Sequence, residues 1–182
     1  MRKVVGYLLS SLDGVVEAGD WIGDGFDEDM RRNMVEVIRA QDAVLLGRVT
    51  YQEWAAYWPT DTEEPAFASF INPTTKYVVS TTLSDVSGWQ PASIIAGDAA
   101  PAIAELKRQP GKDIGAHGSI TLIRSLLEQG LLDELELVVY PILLGKGRRL
   151  LGDAETTQRL KLIKSRPTRT GGMLLTYQVI RP

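Results

Sequence analysis

No cysteine occurs among the 182 residues, which excludes disulfides, thiolate metal sites and cysteine nucleophiles. Histidine is almost as scarce: His117 stands alone, too little imidazole for an ordinary transition-metal centre. No serine–histidine–acid arrangement suggests a hydrolase. Positive charge is not in excess either. The formal net charge is −3, so nothing in the composition favours nucleic acid or an anionic membrane as partner. Long apolar runs are missing as well, and none approaches the roughly 18–20 residues of a membrane span. The first residues, MRKVVGYLLSSLDG, lack the extended apolar region and cleavage site of a secretory signal and end in an Asp-Gly turn. They read as a buried first strand of a cytoplasmic protein.

The balance that remains, 24% charged and 44% hydrophobic, is that of an ordinary globular protein. Without repeats, low-complexity tracts or linkers, residues 1–182 are expected to form a single domain. Strand-like runs at 3–9, 42–47, 75–80, 93–97 and 112–116 alternate with helical patterns. Phe26, Met30, Met34, Val37 and Ile38 share one helical face over 26–40. Residues 48–58, RVTYQEWAAYW, begin with a helical turn. Asp98 is placed to cap a helix over 98–108, with Pro101 tolerated in its first turn. A strand over 134–145 then precedes two more, 159–166 and 171–182, joined by a Gly171-Gly172 hairpin turn. The expected fold is α/β, three-layered, with a mixed, mostly parallel sheet and antiparallel C-terminal strands.

In such a sheet ligands bind beyond the carboxyl ends of the parallel strands. The stretch DIGAHGSITLIRSLLEQG (113–130) places glycines, His117 and Ser119 at such an end, directly before an amphipathic helix with Ile120, Ile123 and Leu127 on one face. Gly118 allows close backbone approach, Ser119 offers a hydroxyl, and the helix N-terminus offers N–H groups and a dipole, which together suit a phosphate. Tight strand–helix packing would use the same glycines. The spacing is neither G-x-G-x-x-G nor a P-loop, and GKGRR at 145–149 is not a P-loop either. A second motif, LLGRVTYQEW (45–54), puts Gly47, Arg48 and Thr50 at the same sheet edge, where an arginine can pair with phosphate or lie in a surface turn.

Four stretches, SLDG (11–14), RAQDAVLLGRVTY (39–51), KYVVSTTL (76–83) and HGSITLIRSLLEQGLLDELELVVYPILLGKGRRLL (117–151), resemble in content and order the dihydrofolate reductase-like superfamily. Within it, the nearest resemblance is to the C-terminal reductase domain of the bacterial riboflavin-biosynthesis deaminase-reductase. The resemblance implies NADPH as hydride donor, a small-molecule substrate as its acceptor, and a homodimer as the assembly. It assigns Gly47, Arg48 and Thr50 to the adenosine-side phosphates, Arg48 favouring the 2′-phosphate. Ser80 and Thr81 fall near the adenosine, and Gly115, Gly118, Ser119 and Ile120 near the pyrophosphate and nicotinamide ribose.

On the substrate side Asp13 is expected to bind substrate and to help deliver a proton, although Asp-Gly is also a common turn pair. Trp21 resembles the tryptophan that precedes the substrate-facing helix in dihydrofolate reductases. Glu134 faces either substrate or solvent, and Arg148 and Arg149 read as a solvated basic turn or as partners of a substrate phosphate. Asp27 and Asp29 fit a helix start. His117 reads as a polar surface residue beside the cofactor. The upstream zinc deaminase motifs of the full riboflavin enzyme are not in this sequence, and Tyr7 stands where those enzymes usually carry a lysine before SLDG. Three functions follow: reduction of a ribosylaminopyrimidine-like substrate, reduction of a pterin, folate or other small carbonyl or imine, or nucleotide binding without turnover. The apolar strand 135–144 and the aromatic segment Tyr51–Trp58 also point to a homodimer, without locating its interface.

Overall fold

The computed structural model describes residues 1–152 and 157–181; Pro182, the end of the last expected strand, lies outside them. Its strands are β1 (Val4–Ser11), β2 (Gln41–Gly47), β3 (Thr75–Val79), β4 (Ala92–Ile95), β5 (Asp113–His117), β6 (Glu134–Tyr140), β7 (Arg159–Pro167) and β8 (Met173–Ile180). They form an eight-stranded sheet in the order β4-β3-β2-β5-β1-β6-β8-β7. The strands from β4 to β6 pair in parallel, and β8 then runs antiparallel to both β6 and β7. The fold is therefore the expected mixed α/β sheet, mostly parallel with an antiparallel finish.

Helices α1 (Glu28–Arg39), α2 (Arg48–Tyr57), α3 (Pro65–Ile71), α4 (Ala99–Arg108) and α5 (Ile120–Glu128) cover both faces. Alternate residues of the inner strands supply two separate cores, because successive side chains of a strand point to opposite faces. Val4, Leu8, Leu45 and Ile114 meet Ile103 of α4 and Ile123 and Leu126 of α5. Tyr7, Val44, Leu46 and Val138 meet Met30, Met34 and Ile38 of α1 and Phe67 and Ile71 of α3. Each of these apolar side chains contributes about 1.5–3 kcal/mol when fully buried.

The local signals act as their chemistry dictates. Asp27 caps α1, accepting from the N–H groups of Asp29 and Met30 at 2.9 Å, and Asp98 caps α4 through Ala100 N–H at 3.1 Å. At the C-terminal hairpin Gly171 takes φ +87°, a left-handed conformation that glycine adopts without strain. Four boundaries differ from expectation. Residues 48–57 form a complete helix rather than a turn, and α3 was not visible as a helix, being short and opened by Pro65. β6 stops at Tyr140 because Pro141 has no N–H for the ladder. β5 runs on to His117, one residue past the expected strand end, so Gly115 lies well inside it.

Lys76 is fully buried on β3. Its ammonium donates to the carbonyls of Ile71, Asn72 and Thr74 at 2.9, 2.9 and 2.8 Å and lies 4.4 Å from the centre of a Trp89 ring. It thereby satisfies the orphan carbonyls that follow α3. Burial pushes its pKa down to about 8, so it is still charged at neutral pH.

Candidate functional site

β2 and β5 are neighbours in the sheet, yet the chain leaves β2 into α2 on one face and leaves β5 into α5 on the other. This is a topological switch point, where two connections diverge and open a crevice at the carboxyl ends of the strands. The two helices start side by side there. Gly47 is the N-cap of α2 and Ser119 that of α5, and neither helix start is closed by a side-chain cap. Instead the Ser119 hydroxyl accepts from Gly47 N–H at 2.9 Å and donates to Thr50 Oγ1 at 2.7 Å. One serine thus ties both helix N-termini together and leaves their remaining first-turn amides uncapped by side chains. Gly118, at φ +65°, makes the turn into α5. A Cβ there would stand 3.0 Å from Trp54 Cζ2.

Below this junction opens a cavity of about 490 Å³. Its floor comes from the ends of β1 and β5 through Tyr7, Leu9 and His117, and its walls from Phe26, Trp54, Trp58 and Phe67. Trp54 and Trp58 meet edge to face at 5.8 Å, and Trp58 and Phe67 stand 4.7 Å apart. The Tyr7 hydroxyl and the Trp58 indole N–H are buried and have no hydrogen-bond partner among the described residues.

His117 is not the surface residue expected. It is 2% exposed, and burial pushes its pKa down to about 4, so it is neutral at pH 7. Its Nε2 lies 2.7 Å from Gln41 Oε1, which makes Nε2–H the donor. The two side chains meet above Gly115, where a Cβ would overlap both. Gly115 therefore serves this buried pair from inside β5, whereas the sequence reading put it against the cofactor.

Asp13 also has a different task from the one expected. Its carboxylate accepts from Ser11 Oγ at 2.7 Å and from the N–H groups of Leu144 and Gly145 at 3.1 and 2.8 Å, and Arg149 lies at 3.6 Å. These donors, Ser11 first, hold its pKa down to about 2. A carboxylate so held is a clamp between the 12–16 and 141–149 segments and a poor proton donor, and it does not line the cavity. Glu134 is displaced altogether: it opens β6 at the amino ends of the parallel strands, paired with Lys3 at 2.6 Å. Trp21 packs edge-on to Tyr140 at 5.2 Å and donates to the Glu17 carbonyl, while the adjacent Ile22 and Gly23 reach the cavity.

The other expected residues lie at the right edge of the sheet. Arg48 is exposed on the first turn of α2, bonded to Gln52 at 2.9 Å. Ser80 and Thr81 follow β3; the Ser80 hydroxyl accepts from Thr82 and Leu83 N–H, and Thr81 is exposed. Ile120 begins α5 and is buried. The basic turn is partly engaged, with Arg148 bonded to Thr121 Oγ1 at 3.1 Å. The cavity's aromatic wall was missed as a site. Its signal, aromatics on two neighbouring short helices, reads equally as core.

A switch-point crevice beside a deep aromatic cavity, on a sheet with one reversed strand near its edge, defines a protein of the dihydrofolate reductase-like fold. More narrowly, the chain belongs to the RibD C-terminal domain family, whose model matches residues 2–174. It is 28% identical over 180 residues to the uncharacterized protein YyaP of Bacillus subtilis strain 168, covering 97% of this chain and 94% of that one. Among solved structures, a putative riboflavin biosynthesis protein from Shewanella sp. PV-4 superposes with a TM-score of 0.78 at 23% identity, over 99% of this chain and 100% of that one. Dihydrofolate reductase from Enterococcus faecalis, complexed with NADP(H), gives 0.62 at 10% identity over 97% and 96%. Among the described residues no helix is long and apolar enough to cross a membrane, and no group of side chains could hold a metal ion.

Proposed function

We propose that this protein is an NADPH-dependent reductase of a small molecule. The observation that carries this reading is the pair of helix N-termini joined through Gly47, Ser119 and Thr50 at the mouth of an aromatic cavity. Uncapped first-turn amides of two helices form a donor set suited to a pyrophosphate, so the residues present fit a dinucleotide. Gly47, Thr50, Gly118, Ser119 and the start of α5 at Ile120 would hold the pyrophosphate. Arg48, exposed beside them, would pair with the 2′-phosphate, and Ser80 and Thr81 would border the adenosine. Bound there, the nicotinamide would supply a hydride to a C=O or C=N carbon of the substrate, whose heteroatom would take a proton from solvent.

The chain's own contribution is placement and dryness. Trp54, Trp58 and Phe67 exclude water and hold a flat substrate by its faces, while Tyr7 and Trp58 offer hydrogen-bond donors to its edge. His117, neutral and locked to Gln41, shapes the floor without exchanging a proton near pH 7. Asp13 holds the 141–149 segment in place behind the cavity. The test is titration with NADPH and NADH in parallel with Arg48→Ala. Micromolar NADPH binding, weaker NADH binding and loss of that preference in the variant are expected. No measurable binding of either nucleotide overturns the reading.

The homodimer expected from sequence becomes a proposal with another surface. β6 lies between β1 and β8, and Tyr51, Trp54 and Trp58 belong to the core and the cavity wall. The sheet ends in β4 on one side and β7 on the other, and it is on β7 that Leu160, Leu162 and Ile163 are exposed, beside Ile180 of β8. An exposed apolar edge strand invites a second copy.

A further inference from the structure

The cavity that receives the substrate contains no cationic side chain. Its charged lining residues are Glu53, Glu63 and Glu64, and its histidine is neutral. The cations nearby are turned to other partners. Arg31 forms a two-point pair with Glu64 at 3.1 and 2.6 Å. Arg148 is bonded to Thr121, Arg149 is drawn to Asp13, and none of the three lines the cavity.

A phosphate monoester carries about 1.5 to 2 negative charges near pH 7. Proteins grip such a group with arginine, lysine or helix N-terminal amides. In the reductase reading the available helix amides belong to the dinucleotide, so a substrate phosphate would be left beside the carboxylates of Glu53 and Glu63, the Arg31-paired carboxylate of Glu64 and four aromatic rings. The same surroundings suit a different ligand. Flat faces meet Phe26, Trp54, Trp58 and Phe67, and a positive charge is welcomed by the carboxylates and ring faces. The Tyr7 hydroxyl and Trp58 N–H lie sealed within the lining without partners, a costly state that an acceptor on a ligand reaching them would relieve.

Resting on the reductase reading, we propose that the substrate is a planar heterocycle without phosphate, neutral or cationic, whose ring carbonyls or ring nitrogens accept from Tyr7 and Trp58. Selection against phosphate comes from the Glu53–Glu63–Glu64 lining.

The test uses a matched pair, 5-amino-6-(ribosylamino)uracil and its 5′-phosphate, titrated against the whole protein by quenching of tryptophan fluorescence, first alone and then with NADPH present. The unphosphorylated compound is expected to bind at least about tenfold tighter. Tyr7→Lys, which adds a cation to the floor, and Glu64→Gln, which releases Arg31, should each narrow that ratio. Trp58→Phe keeps the ring and loses the donor, and should weaken the unphosphorylated ligand. Equal or tighter binding of the phosphate by the unaltered protein overturns the proposal, as does failure of both compounds to bind at millimolar concentration. If NADPH binds while the phosphate is preferred, only the substrate class is wrong. If NADPH does not bind, the reductase reading fails, and the ratio of the two ligands is still measured.

Discussion

The two ends of the parallel strands are built on opposite principles. At the amino ends charge is matched by charge: Arg2 meets Asp42, Lys3 meets Glu134, and Lys107 and Arg181 both meet Asp133. Lys107 is 7% exposed there and bonds Asp133 at 2.6 Å. At the carboxyl ends the polar groups face inward without such partners: two tyrosine hydroxyls, an indole N–H and the first turns of two helices. The first end is closed by ion pairs, with the Gln41 amide N–H the exception among the described residues, and the second carries the other unpartnered polar groups. A protein that only needed to be stable would have satisfied both.

The sharpest way to break that comparison is to strike the boundary between the ends. Gly115→Ala places a Cβ into the Gln41–His117 pair inside the sheet, and a loss of about 2–4 kcal/mol is expected from overpacking together with a damaged buried hydrogen bond. Urea unfolding reads it directly. A loss under about 0.5 kcal/mol would show that the pair moves aside freely.

The same pair gives the next largest effect, through pH. His117 has its folded pKa at about 4 against an unfolded value of about 6.5. Between these values the unfolded chain binds the extra proton, so stability is complete above about pH 6.5 and falls as pH drops towards 4. The loss is about 3 kcal/mol on that linkage. It should be absent from His117→Gln, so the stability difference between the unaltered protein and that variant, followed by unfolding at pH 7, 5.5 and 4, should shrink by that amount as pH falls.

Ser119→Ala tests the open end. Removing the hydroxyl breaks the link between Gly47 and Thr50, for about 1 kcal/mol of stability. NADPH affinity should fall more than stability does, by about tenfold, as the two helix starts lose their common tether. Unchanged nucleotide affinity would mean that the junction is only structural.

Glu134→Gln should do least. Its ion pair with Lys3 is solvent-accessible on the lysine side and is worth under about 1 kcal/mol. NADPH binding should be unchanged, since the residue sits at the far end of the strands. A marked loss of binding would restore Glu134 to the site.

Much of the fold was legible because periodicity and capping are local. The α1 face of Met30, Met34 and Ile38, the caps Asp27 and Asp98 and the Gly171 turn all stand where their chemistry places them. α3 was not legible, since seven residues carry too little periodicity to separate a helix from a turn. Of the candidate site, the edge residues Gly47, Arg48, Thr50, Gly118 and Ser119 were visible as glycines, hydroxyls and one arginine following strand ends. The tasks of Asp13, Gly115 and Glu134 were not. Each depends on a partner more than 70 residues away or on which end of a strand the residue occupies: Leu144 and Gly145 for Asp13, Gln41 for Gly115, and the β6 register for Glu134.

The first strand has a consequence for how the chain comes together. β1 lies between β5 and β6, so the earliest of these strands in the chain has both of its neighbours beyond residue 112. Strands β2, β3 and β4 are consecutive in the chain and adjacent in the sheet, so that part can assemble while the rest is still emerging. β1 must wait. Its apolar run stays uncovered until much of the chain has been made, and its insertion between two later strands closes distant contacts of the kind that slow folding. Completion of the cavity floor, through Tyr7 and His117, is thus tied to one of the last pairings to form.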